Sequence, residues 1–245
     1  MEPVRIAFLL YPNVTQLDLT APAQLLAMAG MKVELVGKTG RPVPTDSGFS
    51  IVPTTTIDAC VEADVLCIPG GPGCHDVMDD DEQLCWARHV ARHAGHVTSV
   101  CTGSLILAAA GLLDGYKATS HWLWRDWLTL FGAIPTDGRV VRDRNRLTGG
   151  GVTAGLDFGL ALVAQLRGDT AAKLTQLGAQ YDPEPPFHCG SPKQAGPELV
   201  EKYEKLGAAS IRERVARIEA TAQRLREHPL TCRPPLPPAS EGDSH

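Results

Sequence analysis

The chain has 245 residues, a formal net charge of −5 and a hydrophobic content of 43%. That length suits one large domain or two small ones, the apolar content is enough for a substantial core, and the mild acidity argues against nucleic acid as the main partner. No apolar run reaches the ~18 residues of a membrane span, and the opening "MEPVRIAFLLYP" lacks a signal-peptide cleavage pattern and reads as a first strand.

In chain order, the apolar run Arg5–Tyr11, closed by Pro12-Asn13, predicts a buried strand. Thr20 with Pro22 predicts a helix start, and the helix runs to about Ala29 before Gly30. Lys32–Gly37 follows as a strand, and "PVPTDSGFSIVP" as a hairpin turning at Asp46-Ser47-Gly48. Asp64–Pro69 is a further buried strand, ending in Gly70-Gly71-Pro72-Gly73. Then come a helix over Glu82–Ala94, a strand over His96–Val100, a helix over Thr102–Leu113 and a short helix over Trp122–Leu130. Arg139–Thr148 reads as a hairpin with Arg144-Asn145 at its turn, followed by helices over Thr153–Gln165 and Thr170–Tyr181. A charged helix spans about Leu199 to Arg226. Its apolar residues Leu199, Tyr203, Leu206, Ile211, Val215, Ile218 and Leu225 recur near helical spacing.

Strands that read apolar throughout and alternate with helices predict an α/β fold, a mostly parallel sheet sandwiched between helices with peripheral hairpins. The expected organisation is an α/β domain over residues 1–195 and a helical extension over 196–228, packed on the domain or a partner subunit. A Pro-rich tail over 229–245 has the composition of a disordered segment. In such sheets ligands bind beyond the carboxyl ends of the strands. Asp18, Gly70-Gly71 and Cys101 all fall at such ends.

The seven cysteines, Cys60, Cys67, Cys74, Cys85, Cys101, Cys189 and Cys232, are odd in number and irregular in spacing, with no Cys-x-x-Cys. No disulfide framework is expected, and a reducing cytoplasm is the default. Cys60, Cys67, Cys85 and Cys189 read as inert packing, and Cys232 as an exposed thiol in the tail. Cys74-His75 lacks a second ligand pair, so it reads as a loop and not a metal site. Cys101 differs by position. "SVCTGS" places it between a strand and a helix, where a tight turn lifts a side chain clear of the sheet. The helix N-terminus there is expected to favour thiolate and lower the thiol pKa.

The ordered set "QLDLTAP", "CIPGGPG", "SVCTGS", "TSHW", "RLTGGGVTAGLDF" and "PPFHCGSP" resembles the PfpI-like branch of the class I glutamine amidotransferase-like superfamily, over about Arg5 to Ser191. More narrowly it is similar to the isocyanide hydratases. That resemblance implies Cys101 as nucleophile, Asp18 as acid and base, and Thr102 as an organiser of the site. Peptidase-like members carry histidine at the position of Thr102, which argues against proteolysis. Around these, Gly70 and Gly71 are expected to form the turn, with the Gly71 N–H facing developing charge; Pro72 has no N–H, so that pair offers one donor and not a two-donor hole. His121 and Trp122 are expected to wall the pocket. The resemblance implies a small isocyanide substrate hydrated to a formamide, no cofactor, no metal and a homodimer. Two other readings stay open. One is a ligand sensor, since similar domains precede helix-turn-helix pairs in transcription regulators; here one charged helix and a Pro-rich tail leave too little for such units. The other is a redox or carbonyl-stress protein using Cys101 as an oxidisable thiol. Gly149-Gly151 has neither the lysine nor the spacing of a phosphate loop and reads as close strand-to-helix packing. Asp157 reads as a surface or interhelical hydrogen bond.

Overall fold

The computed structural model describes residues 3–232. The chain begins with β1 (Arg5–Leu10), α1 (Gln16–Met28), β2 (Lys32–Gly37), β3 (Val43–Pro44), β4 (Ser50–Ile51), β5 (Thr55–Thr56) and β6 (Val65–Ile68). It continues through α2 (Cys74–Met78), α3 (Asp81–His93), β7 (His96–Val100), α4 (Gly103–Ala109) and β8 (Lys117–Ala118). A 3₁₀ helix (Arg125–Phe131) precedes β9 (Ile134–Pro135), β10 (Val140–Asp143) and β11 (Arg146–Gly149). Helices α5 (Ala154–Arg167), α6 (Asp169–Gly178) and α7 (Pro192–Glu227) complete the described chain.

Seven strands form one sheet in the order β10-β11-β7-β6-β1-β2-β5. Pairing is parallel throughout except for β10, which runs antiparallel to β11 at the edge. β1 lies centrally, with Ile6 opposite both Val33 of β2 and Val65 of β6. Residues Ile6 to Leu10 are buried without a break, as a strand covered on both faces requires. Helices α1, α5 and α6 pack together, and α2, α3, α4 and α7 form a second group. The predicted sandwich is therefore the observed one, with β3–β4 and β10–β11 as the two hairpins.

Several boundaries differ from expectation. Helix α1 starts at Gln16, not Thr20, so Asp18 sits in its first turn and Pro22 lies inside it. A proline there removes one helical hydrogen bond, but its flat ring suits the close approach of α5: Gly155 and Gly159 face Pro22, each with room for little more than hydrogen. Helix α4 stops at Ala109, short of Leu113, because Gly111 turns the chain at φ +70. Residues 125–131 are 3₁₀ and not α. The five-residue α2 and the two-residue β5, β8 and β9 are too short to show a periodicity.

Helix α7 is longer than expected and breaks at Gly196, whose φ is +76. Its apolar stripe is only half used. Ile218 is buried, and Ile211, Val215 and Leu225 pack against the core, while Leu199, Tyr203 and Leu206 stand exposed. The cysteine expectations need two corrections. Cys85 and Cys232 form a disulfide, with Cα atoms 5.3 Å apart across a sequence separation of 147. Cys189 is exposed, whereas Cys60 and Cys67 are buried as expected. The expected tail lies outside the described residues beyond Cys232. No helix among the described residues is long and apolar enough to cross a membrane.

Where α4 starts, the sheet leaves no room for a side chain: a Cβ on Gly103 would collide with the Ile68 carbonyl oxygen. Gly103→Ala is expected to cost about 2–3 kcal/mol of stability in urea denaturation. Gly95→Ala, whose Cβ would meet only the Asp64 carbonyl at 3.7 Å, is expected to change stability by less than about 0.5 kcal/mol.

Candidate active site

Three chain segments meet beyond the carboxyl ends of β1, β6 and β7. The first turn of α1 carries Asp18, the loop after β6 carries Gly70 and Gly71, and the β7–α4 turn carries Cys101 and Thr102. Asp18 is fully buried, and its Oδ2 accepts the Gly70 N–H at 3.0 Å. The Gly71 N–H donates to Thr102 Oγ1 at 2.9 Å, and Thr102 Oγ1 lies 3.3 Å from the Gly71 carbonyl. Gly70 stands in the centre of this knot. A Cβ there would lie within 2.8 Å of the Thr102 nitrogen, Thr102 Oγ1 and Asp18 Oδ2 at once. The loop therefore has to carry glycine for carboxyl and turn to meet.

Cys101 has φ +55, the left-handed conformation that a nucleophile elbow imposes on a residue with a side chain. The surrounding hydrogen bonds hold it there from both sides. Its N–H is shared between the Gly149 and Gly150 carbonyls at 3.0 and 2.9 Å. Its carbonyl accepts from the hydroxyls of Ser104 at 3.0 Å and Ser120 at 2.9 Å. Such strain, typically ~1–3 kcal/mol, persists only where the environment over-determines the backbone.

Burial dominates the protonation of the pair. Desolvation pushes the Asp18 carboxyl up to about 7, with the Gly70 N–H and the Cys101 thiol drawing it back and the more distant Asp46 charge adding to the rise. The thiol interaction is one of proximity: Asp18 Oδ1, also buried, has no formed hydrogen bond. For Cys101 the expectation of a lowered pKa is overturned. Burial, then the Asp18 charge, push the thiol well above its usual range, outweighing the backbone N–H groups of Thr102 and Val152 that face the sulfur. With Cys101 only 5% exposed, the short helix behind it offsets a fraction of that cost. The resting pair is thus a neutral thiol beside a carboxyl that titrates near neutrality.

The other expected residues fall around this centre in different ways. The Gly71 N–H is committed to Thr102 and does not face Cys101. Thr102 uses its hydroxyl to fasten the Gly70-Gly71 loop and makes no hydrogen bond to Asp18. His121 accepts the Leu123 N–H at Nδ1, and burial lowers its pKa, which leaves it neutral. Its ring lies against Gly151 and stacks on Trp122, which in turn meets Tyr203 of α7. His121 and Trp122 edge a cavity of about 1050 Å³ whose wall also includes Gly150, Gly151, Val152 and Phe187. Cys101 adjoins the Gly150–Val152 part of that wall, through its own N–H to the Gly150 carbonyl and the Val152 N–H facing its sulfur. Cys74 and His75, expected in a loop, are buried in α2. Asp157 pairs with Arg139 and accepts the Tyr181 hydroxyl, a surface tie as expected.

Val152, Gly150 and Ser120 are the contributors that sequence reasoning missed. The signal was available: "TGGGVT" also sits between a strand and a helix, at the end of the strand beside β7. The chemical capacity of the site follows from its parts. It holds a nucleophilic sulfur, an adjacent acid–base group and two backbone N–H donors for negative charge on sulfur.

Holding the Asp18 carboxyl in a dry site costs stability, and the sign is definite. Unfolded, the group releases its proton near 3.8; folded, it keeps it to about 7. The native state binds the extra proton in that window, so stability falls as pH rises through it and is flat above. The full difference is up to about 4 kcal/mol. Asp18→Asn keeps the acceptor for Gly70 and removes the charge. It is expected to raise the unfolding free energy by up to about 4 kcal/mol near pH 8 and far less near pH 4, measured by urea titration at both values.

Residues 4–165 match the model of the DJ-1/PfpI family. An isonitrile hydratase of Pseudomonas putida is 47% identical over 223 residues, 91% of this chain and 98% of that protein. A solved structure, a THiJ/PfpI family protein from Pseudomonas syringae, superposes with a TM-score of 0.85 at 48% identity and 91% coverage of both chains. The HTH-type transcriptional regulator GbdR of Pseudomonas aeruginosa is 32% identical over 72% of this chain, which spans 50% of the regulator. With fold, elbow and sequence in agreement, the chain belongs to the DJ-1/PfpI family.

Proposed function

We propose that the chain is an isocyanide hydratase, which adds water to an isocyanide to give an N-substituted formamide. The carrying observation is the buried pairing of Cys101 with an Asp18 carboxyl whose pKa stands at about 7. The 47% identity to an isonitrile hydratase across nearly all of that protein gives the substrate class.

In this reading the pair carries one proton above neutral pH, as thiol and carboxylate. Proton transfer from sulfur to Asp18 makes thiolate and carboxylic acid together, so no net charge enters the dry site. The thiolate, held by the N–H groups of Thr102 and Val152, attacks the terminal isocyanide carbon. Asp18 returns the proton to that same carbon, giving a thioimidate, Cys–S–CH=N–R. Asp18, again carboxylate, takes a proton from water as the water adds to this carbon. Asp18 passes that proton to the adduct nitrogen; collapse then expels the sulfur, which takes up the hydroxyl proton, and leaves R–NH–CHO, with one water consumed and the Cys101 thiol and Asp18 carboxylate restored. Thr102 serves by holding Gly71, and through it Gly70, against the acid. His121 and Trp122 line the approach as neutral groups. The reaction needs no cofactor.

The same proposal takes residues 1–195 as the catalytic domain and 196–228 as its helical extension, working as a homodimer in the cytoplasm. Exposed Met28, Leu174 and Leu177 offer apolar surface for a second copy.

The deciding experiment is turnover of cyclohexyl isocyanide, followed by formamide formation. Wild type is expected to be active, Cys101→Ala to lose at least about 10³-fold in kcat, and Asp18→Asn about 10²–10⁴-fold. Binding of isocyanide by wild type without formamide would instead place the chain with the ligand-sensing domains. A second measurement is the pH profile. Below about 7 Asp18 holds its own proton and cannot accept the thiol's. The value of kcat/KM is therefore expected to fall about tenfold per pH unit on the acid side of that value.

A further inference from the structure

The second half of α7 grips one short stretch of chain. Arg217 reaches the carboxylates of Asp76 and Asp79 at 2.8 and 3.2 Å. The Thr221 hydroxyl donates to Asp79 at 2.7 Å. Arg224 pairs with Asp81 at 2.8 Å and donates to the Met78 carbonyl at 2.9 Å. All these partners lie between Asp76 and Asp81, in α2, the turn after it and the start of α3. Helix α2 is continuous with the active-site loop, since the Cys74 N–H bonds to the Gly71 carbonyl and the Gly73 N–H to the Asn13 carbonyl. Gly73 lies so close to Pro12 that a Cβ there would collide with its carbonyl oxygen. A displacement of α2 is thus carried to Gly70 and Gly71, the residues that hold Asp18 and Thr102.

The ionic grip is solvent-exposed, and such pairs each contribute little. The covalent fastening is the Cys85–Cys232 bond, which ties the segment after α7 back onto α3. Besides the disulfide, that segment is held to α3 by a bond from Arg88 to the Leu230 carbonyl at 3.1 Å. Both cysteines are half-buried and neither lies in the sealed core. In the cytoplasmic setting proposed above, a disulfide is usually transient or regulatory.

We propose that Cys85–Cys232 is a thiol-operated lock on the grip through which α7 positions the Gly70-Gly71 loop. With the lock closed, α2 is clamped and Cys101 stays sealed. A dithiol reductant opens it by exchange. One reductant thiolate attacks a cysteine sulfur and forms a mixed disulfide, and its second thiol then displaces that cysteine. The two electrons pass from reductant to protein, leaving Cys85 and Cys232 as thiols and the reductant as its own disulfide. Ile218 and Ala222 remain buried in the α7 contact, so the helix stays docked and opens more often instead of detaching.

The test compares full-length wild type with the bond intact, wild type reduced with dithiothreitol and desalted anaerobically, and Cys85→Ser/Cys232→Ser. Cys101 is shown to be a free thiol in each by mass spectrometry. Hydrogen exchange of residues 70–78 is expected to quicken, and iodoacetamide to modify Cys101 roughly threefold faster or more, in both unlocked forms alike. Dithiothreitol is expected to leave the double variant unchanged. Reduced wild type supplies the comparison even where the double variant folds poorly. Thr221→Val with the bond intact is expected to quicken the same 70–78 amides to a lesser degree. Faster exchange confined to residues 228–232, with Cys101 reactivity unaltered, overturns the proposal. So does a bond that excess dithiothreitol cannot reduce under native conditions. Neither readout involves turnover, so the outcome is independent of the hydratase reading.

Discussion

A carboxyl and a thiol share one dry corner, and most of the local architecture exists to make that tolerable. Asp18 has a single formed hydrogen bond, from Gly70, and an oxygen with no partner. Desolvation of that kind is costly unless the group gives up its charge. The fold meets the condition by letting the carboxyl hold a proton up to about pH 7. It also places beside the carboxyl a second group that can exchange that proton. The absence of a Cβ at Gly70, the committed N–H of Gly71 and the hydroxyl of Thr102 all follow from keeping this corner closed.

The strained backbone at Cys101 belongs to the same design. A left-handed cysteine would relax if left to itself, yet two carbonyls take its N–H and two serine hydroxyls take its carbonyl. The sulfur is thereby aimed at a fixed point by the backbone around it. The two N–H groups facing it compensate only part of the cost of burial. The thiol is consequently sealed and protonated at rest, and its reactivity depends on proton transfer to its neighbour and not on a standing negative charge.

The order of strands and helices was legible because β1, β6 and β7 are buried runs closed by turn residues, and because α3 and α5 are long. The elbow was legible as a cysteine between a strand and a helix. Asp18 and Thr102 were recognised through family resemblance, and Gly70 through the turn it forms. The start of α1 was misplaced because Pro22 resembles a first-turn proline, whereas the helix carries it internally beside two glycines of α5. The thiol pKa was judged from helix position alone, and burial, a property of the assembled core, reversed its direction. The partner of Cys85 lies 147 residues away. Odd numbers and irregular spacing speak against a disulfide framework but not against a single staple. Val152 was passed over because its stretch was read for phosphate binding and for packing, not for backbone donors.

Pro22 has a mechanical meaning as well as a steric one. In an unbroken helix its N–H would tie to the carbonyl of Asp18, and proline has none to give. The turn that carries the acid is therefore coupled to the rest of α1 by one bond fewer than a regular helix provides. The body of α1 packs on α5, and the Leu17 carbonyl of its first turn lies beside Gly155 as well. The proline thus leaves the Asp18 carbonyl without its helical donor, and the turn that carries the acid is held by the Gly70 N–H and by its packing in place of that bond.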